Sequence, residues 1–124
     1  MPESQEPPFA PAGWPRVVPR IFTPDPRGLV EFMRETLGGT CEYQDGRPAE
    51  VWIGESVVMV SDTAARPPTS AFLYVYVPEA DAAYARAMAA GCRSLEAPVS
   101  TPYGDRRCMV EDRWGNTWQI ATRR

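Results

Sequence analysis

The stretch EDRWGNTWQI, residues 111–120, carries the clearest structural pattern in the chain. Gly115-Asn116 lies between a polar run and an alternating run, a pattern typical of a turn between two strands. Beyond the turn, Trp118 and Ile120 alternate with Gln119, so one set faces a core and the other set faces away from it. The stretch therefore predicts the closing hairpin of a sheet.

The same hairpin pattern occurs once before in the chain. IGESVVMVS (residues 53–61) can be placed over WGNTWQIAT (residues 114–122) without a gap. Two further features recur in the same order, a proline-acid pair that starts a helix and a glycine that ends it: Pro24-Asp25 with Pro78-Glu79, and Gly39 with Gly91. Such an ordered recurrence predicts two βαβββ units in tandem.

Periodicity assigns the elements within each unit. Apolar residues at helical spacing predict helices over residues 27–37 and 80–90. Short β-branched and aromatic runs predict strands, at residues 16–22, 40–44, 49–53 and 56–61 in the first half and 71–77, 92–96, 106–111 and 117–122 in the second. The fold class is α+β, with one domain over residues 16–123 made of modules 16–62 and 70–123.

Composition bounds the function. The chain has 124 residues and a formal charge of −3, so no basic surface indicates a nucleic-acid partner. Its apolar runs are far shorter than the roughly 18 residues that a membrane helix needs. No basic segment followed by an apolar one begins the chain, so we expect a cytoplasmic protein without a membrane partner.

Three cysteines, Cys41, Cys92 and Cys108, form an odd set without CxxC spacing. In a cytoplasmic chain this pattern favours reduced thiols that act as small core residues. A catalytic cysteine would normally need a histidine base, and the sequence contains no histidine.

Five of the 14 prolines come before Arg16. Residues 1–15 are therefore predicted to be a proline-rich arm that is extended, disordered or laid across a neighbour. Trp14 could anchor this arm, or it could be an isolated aromatic residue on a mobile tail.

The tandem pattern resembles the vicinal oxygen chelate superfamily, which includes glyoxalase I, bleomycin and fosfomycin resistance proteins and extradiol dioxygenases. The resemblance covers residues 13–123 and is closest to the bacterial PhnB-like branch. Four stretches carry it: GWPRVVPRI (13–21), IGESVVMVSD (53–62), YVPEADAAYARAMAAG (76–91) and GDRRCMVEDRWGNTWQIAT (104–122). It implies two curled mixed sheets around a cleft, and a homodimer.

The resemblance also implies where metal ligands would lie. Carried over by motif, the positions fall near Val18, at Phe72 or Tyr74, and at Gln119. Catalytic metals generally use imidazole or carboxylate ligands, and none of these side chains supplies one. We therefore expect no metal and no cofactor.

Alternation predicts which residues face the cleft. With Gln119 facing in, the repeat places Val58 and Val60 inward and Val57 and Met59 in the core. On residues 71–77 the aliphatic set suits helix packing, which leaves an aromatic ladder for the cleft: Phe72, Tyr74 and Tyr76. Such a ladder could stack on a flat or cationic ligand, or it could be covered by the other half or by the arm.

Four further residues complete the candidate ligand-binding set. Glu50 and Trp52 share a strand face and could form a corner for a planar cation, or be a surface acid beside a core tryptophan. Arg107, with Arg106, could clamp an anion or be a solvated surface pair. Tyr103 lies in a predicted loop at the cleft mouth. Arg20 and Glu111 are polar candidates of uncertain facing.

Three functions remain open. The first is a metal-free protein that binds or sequesters a small, aromatic or cationic molecule. The second is a lyase, isomerase or dioxygenase-like enzyme that uses carboxylate, tyrosine or arginine chemistry; no spacing picks out its catalytic residues. The third is a dimeric structural or regulatory module with a vestigial cleft.

Overall fold

A computed structural model describes residues 8–124. The elements follow one another in the order βαββ–βαβββ: β1 (Arg20–Phe22), α1 (Pro26–Leu37), β2 (Ala49–Ile53), β3 (Ser56–Ser61), β4 (Phe72–Tyr76), α2 (Ala80–Ala89), β5 (Arg93–Ser100), β6 (Asp105–Glu111) and β7 (Thr117–Arg123). The strands form two curled mixed sheets that do not close on each other, which confirms the α+β fold class.

The first sheet has the order β1-β3-β2 and the second has the order β4-β7-β6-β5. In each sheet the strand before the helix pairs in parallel with the last strand of its unit, and the other pairings are antiparallel. The two sheets therefore repeat one topology.

Helix α1 begins and ends as its sequence predicts. The Asp25 side chain accepts a hydrogen bond from Gly28 N at 3.1 Å, and Pro26 occupies the first turn, where its missing N–H has no cost. Gly38 ends the helix with φ 74°, a left-handed conformation that glycine adopts without strain.

One apolar core joins the two units. Phe32 of α1 contacts Trp118 of β7, with ring centroids 6.2 Å apart. Arg86 Nη2 of α2 donates to the Thr36 carbonyl of α1 at 3.1 Å. The helices therefore lie against each other and the opposite faces of both sheets are left open. No helix in residues 8–124 is long and apolar enough to cross a membrane.

Three predicted strands differ from the structure by more than one residue at an end, and a proline lies at two of these places. Strand β1 starts at Arg20 because Pro19 has no N–H, although its carbonyl accepts from Met59 N at 3.0 Å. Strand β5 runs to Ser100 through Pro98, which a bulged edge strand tolerates. The predicted strand at 40–44 is reduced to one bridge between Thr40 and Trp52.

The predicted facing of β3 is wrong for Val58, Val60 and Met59, although Val57 is buried as predicted. Val58 and Val60 pair with Val51 and Ala49, and all four belong to the core beneath α1. Met59 therefore lies on the open face. The ungapped alignment of the two hairpins fails because two residues separate β2 from β3, whereas five separate β6 from β7. A one-residue offset turns every side chain of a strand to the other face.

The closing hairpin is held by a buried carboxylate. Asp112 is 5% exposed and accepts four hydrogen bonds: from Trp114 N, Asn116 N and Asn116 Nδ2 at 2.9 Å, and from Trp118 Nε1 at 2.8 Å. Asn116 Oδ1 in turn accepts from Ala71 N at 2.9 Å, which connects the turn to the start of β4. The motif therefore specifies a buried hydrogen-bond network around Asp112 as well as a turn.

Candidate functional site

The open side of the second sheet carries the aromatic ladder, and we call this side the tyrosine face. Phe72 and Tyr76 are 64% and 53% exposed, whereas Leu73 and Val75 pack against the core. In the strand register, Gln119 lies opposite Tyr74. Met109 and Arg107 of β6 follow on the same face. The structure thus brings five of the eight candidate residues to one surface: Phe72, Tyr74, Tyr76, Arg107 and Gln119.

Asp105 organises the hydroxyl groups of the ladder. It begins β6 and is 1% exposed. Its Oδ2 accepts from Tyr74 at 2.7 Å and from Tyr76 at 2.8 Å. Its Oδ1 has no hydrogen bond within residues 8–124, but Arg123 Nε lies 3.1 Å away as an ion-pair partner. One carboxylate therefore fixes two aromatic rings.

A second polar chain continues from Tyr74. Its hydroxyl lies 3.2 Å from that of Tyr103, and either can be the donor. Arg107 Nη1 donates to the Tyr103 hydroxyl at 2.9 Å. Arg107 also binds Glu96 with two hydrogen bonds, of 2.9 and 3.0 Å. Tyr103, the sixth candidate, thus joins the tyrosine face from the loop before β6.

These contacts set the ionisation of the site. Burial, and then the hydrogen bonds with Tyr103 and Asp105, raise the pKa of Tyr74 far above its usual value. Burial disfavours the ionised form of Asp105, but the two tyrosine hydroxyls and the nearby Arg123 and Arg107 outweigh it, so the pKa of Asp105 is lowered. The hydrogen bond with Tyr74 and the guanidinium of Arg107 lower the pKa of Tyr103.

The charges of the tyrosine face are already paired. Arg107 is occupied by Glu96, Arg123 by Asp105, and Arg93 by Glu111. Arg106 points to the other side of the sheet and binds Asp81 of α2 with two hydrogen bonds. Arg106 and Arg107 are therefore neither a solvated surface pair nor available to bind an anion together. A ligand on this face meets aromatic rings and neutralised charge.

The other two candidates, Glu50 and Trp52, lie on the open face of the first sheet. No hydrogen bond, ion pair or ring contact connects them to the tyrosine face within residues 8–124. Trp14 of the arm packs edge-on against Trp52, with centroids 5.4 Å apart. Both candidates line a wide depression of about 640 Å³ with Cys41, Arg34 and Arg47 among its walls. The eight candidate residues therefore lie in two separate places, six on the tyrosine face and two on the first sheet.

Of the predicted arm, residues 1–7 lie outside the described residues. The described part turns at Pro11, whose carbonyl accepts from Trp14 N at 3.1 Å. Through Trp14 it lies against Trp52 of the first sheet, and the segment that follows it is bonded to β3 through the Pro19 carbonyl.

Sequence reasoning missed Asp105 and Glu96 as site residues. Asp105 stood in what was taken for a loop, yet counting back by two from Arg107 places it on the same strand face. Glu96 could not be placed because bulges shift the register of β5 on both sides of it.

The thiols are poor nucleophiles. Burial raises the pKa of Cys92 and of Cys108 to about 11 and also raises the pKa of Cys41. All three are free cysteines. They are therefore protonated at neutral pH.

With the geometry established, comparison with known proteins identifies the family. The family model of the glyoxalase/bleomycin resistance protein/dioxygenase superfamily matches residues 15–120. The chain belongs to this superfamily. Comparison with curated proteins gives no match.

Solved structures of the superfamily fold resemble the chain closely in shape. TioX from Micromonospora sp. ML1 is 24% identical with a TM-score of 0.72, covering 86% of this chain and 97% of its own. A superfamily enzyme from Burkholderia phytofirmans PsJN is 18% identical, with the same TM-score and coverage. A glyoxalase-related enzyme from Fulvimarina pelagi is 19% identical with a TM-score of 0.68, covering 85% of each chain. At these identities the likeness shows the fold alone.

The residues at the expected metal positions of the superfamily do not fit a metal. Tyr74 donates its hydroxyl to Asp105, and Gln119 beside it offers a neutral amide. Val18 offers no donor atom. Within residues 8–124, no three His, Cys, Asp or Glu side chains are grouped so that they could hold an ion.

Proposed function

We propose that the protein binds or sequesters a small planar aromatic molecule against the tyrosine face, without a metal or other cofactor. The observation that carries this proposal is the exposed ladder of Phe72, Tyr74 and Tyr76, whose tyrosine rings are fixed by buried Asp105. Large exposed apolar side chains that are held in place are typical of binding surfaces. Preorganised rings lose little conformational entropy when a ligand stacks on them.

Two features support a finer proposal within the superfamily. The unsuitable donors at Val18, Tyr74 and Gln119 favour a binding role of the bleomycin-resistance kind over metal chemistry. The closing motif over residues 112–120 favours the PhnB-like branch.

Titration with a panel of planar and glycopeptide antibiotics, followed by tryptophan fluorescence and melting temperature, tests the binding. The key variant is Phe72→Ala, because Phe72 is exposed and its loss leaves the Asp105 contacts in place. We expect binding to weaken roughly tenfold as one stacking partner is lost.

The matched control is Phe9→Ala, which removes an equally exposed phenylalanine from the arm. Binding should be unchanged. Flat titrations across the whole panel, or equal losses in the two variants, would refute the proposal.

A second candidate is an enzyme that uses tyrosine and arginine chemistry. It is favoured by Tyr103, which is 51% exposed and accepts a hydrogen bond from Arg107. A phenol stabilised in its ionised form can act as a general base. Mass spectrometry of the ligand after long incubation separates the candidates, because a binding protein returns it unchanged and an enzyme does not.

We further propose a cytoplasmic homodimer. Free thiols support the compartment. The open faces of both sheets, with edge strands at β1 and β4, support a second subunit. The mass in solution of the intact chain and of a chain lacking residues 1–13 tests this proposal and the role of the arm in it. A monomeric intact chain would refute the dimer.

A further inference from the structure

A groove of about 420 Å³ adjoins the tyrosine face at the junction of the two sheets. One wall is formed by Pro15 of the arm and by Val17 and Pro19 of the segment that leads from it to β1, and from here on we include this segment in the arm. The opposite wall is Leu73–Tyr76, and the hairpin residues Ile53 and Ser56–Val58 complete the lining. Tyr74 and Tyr76 belong to both the groove and the tyrosine face. The volume lies within the range of small-molecule sites, roughly 300–1,000 Å³.

The wall formed by β4 offers backbone groups as well as side chains. Four consecutive residues line the groove, although their side chains alternate between the two faces of the sheet. The groove therefore runs along the strand edge. Within residues 8–124, β4 pairs only with β7, so its other edge has no ladder partner.

The arm makes this groove unsuitable for a peptide strand. A strand inserted between two edges needs hydrogen-bond donors on both sides. Pro15 and Pro19 have no N–H, and the Pro19 carbonyl is already bonded to Met59 N. The proline wall thus favours a compact ligand that uses the β4 edge on one side and apolar contact on the other.

The charge of the lining limits the ligand further. None of residues 8–124 that line the groove is charged. The adjoining tyrosine face has its arginines paired with Glu96 and Asp105. A charged ligand would lose hydration here without gaining a counter-ion.

We infer that the ligand is an uncharged, flat aromatic molecule with hydrogen-bonding groups on its rim, which stacks on the tyrosine face and extends into the groove beneath the arm. This inference rests on the proposed function and adds the class of ligand and the residues of the arm and hairpin that select it. Pro15, Val17, Pro19 and Ser56 are then specificity-determining positions.

The test uses two fluorescent probes of the same ring size. Acridone is an uncharged tricycle with a carbonyl and an N–H on opposite rims, and 9-aminoacridine is a cation at neutral pH. We expect acridone to bind at least about tenfold more tightly than 9-aminoacridine. Tighter binding of the cation, or no binding of acridone up to its solubility limit, would overturn the uncharged class.

A matched pair of neighbouring exposed residues, Glu55 in the turn and Ser56 at the start of β3, tests whether the ligand enters the groove. Ser56→Trp places a large ring in the groove, whereas Glu55→Trp places the same ring on a neighbouring residue outside it. Acridone affinity should fall roughly tenfold or more in the first variant and stay within about twofold in the second. Equal acridone affinities of the two variants would overturn the inference that the ligand extends into the groove.

Phe72→Ala separates this inference from the proposed function. If acridone binding is weakened by Phe72→Ala but not by Ser56→Trp, the tyrosine face binds the ligand and the groove inference fails. If Ser56→Trp weakens binding and Phe72→Ala does not, the groove binds the probe by itself and the stacking proposal fails. Loss in both variants supports one continuous site.

Discussion

The hairpins that close the two sheets occupy equivalent places but are held by different interactions. The first is a two-residue turn between Ile53 and Ser56, stabilised by Val51, Val58 and Val60 in the core. The second is a five-residue turn in which Asp112 accepts four hydrogen bonds.

The open faces of the two sheets also differ in the side-chain contacts that they carry. On the first sheet, Arg20 Nη2 donates to Ser61 Oγ at 3.0 Å and its guanidinium lies over the Phe22 ring. On the second sheet, two tyrosine hydrogen bonds and the ion pair with Arg123 converge on Asp105. The two sheets therefore repeat one topology without repeating the same side-chain interactions. The second sheet, where the polar contacts converge, carries the candidate site.

The largest expected effect tests the facing of β3. Val60→Lys places an ammonium group in a fully buried position beside Ile21 and Ala49, and we expect it to cost more than about 4 kcal/mol of unfolding free energy. Met59→Lys lies on the open face opposite Glu50 and should cost less than about 1 kcal/mol. Urea denaturation of both variants measures the difference. If Met59→Lys cost more unfolding free energy than Val60→Lys, β3 would instead have the facing that the ungapped repeat predicts.

The next effect concerns the hairpins themselves. Asp112→Ala leaves four buried or half-buried donors without their acceptor, and we expect a loss of roughly 3 kcal/mol. Glu55→Ala changes an exposed residue of the first turn and should stay within about 0.5 kcal/mol. Equal losses would mean that the carboxylate does not hold the second hairpin.

A smaller effect appears in the pH dependence of stability. Because the folded-state pKa of Asp105 is lowered, its contribution is present above the unfolded value of about 4 and is lost as pH falls through the folded value. Asp105→Asn should therefore flatten the stability profile in acid, as measured by thermal unfolding from neutral pH downward.

Ser61→Ala is the corresponding change on the first sheet, where Ser61 Oγ accepts from Arg20. The serine hydroxyl does not titrate, so this variant should lower stability by the same amount at every pH. An acid profile of Asp105→Asn parallel to wild type would contradict the role of Asp105.

The smallest effect is the order of tyrosine ionisation. Tyr103 should lose its proton below the usual value of about 10, whereas the raised pKa of Tyr74 keeps that residue protonated to higher pH. Phenolate absorbance during alkaline titration measures the early step. Tyr103→Phe should remove the early step and Tyr84→Phe, on α2, should keep it. An early step that persists in Tyr103→Phe would show that Tyr103 is not the group with the lowered pKa.

Much of the fold could be predicted because local patterns and the final structure agree. The bounds of β2 and β3 follow from alternation and their two-residue turn. Helix α1 follows from its aspartate cap, its proline and its terminal glycine. The facing of Phe72, Tyr74 and Tyr76 follows from the aliphatic residues between them, which only a core can accommodate.

The site was only partly predictable because its polar partners are distant in the chain. Tyr74 and Asp105 are 31 residues apart, and Arg107 reaches Glu96 across a bulged pairing. Bulges and turn lengths set strand register, and a register error of one residue changes which side chains can meet.

The two-unit fold and the aromatic ladder could be predicted from the sequence, because they depend on residue type and on periods of two and 3.6. Three features became visible only in the tertiary structure. Asp105 lies beneath the ladder, and each arginine of the tyrosine face has an acidic partner. The proline-rich arm forms one side of a groove without charged side chains. Those features depend on which strands become neighbours, and the core shared by both units determines that.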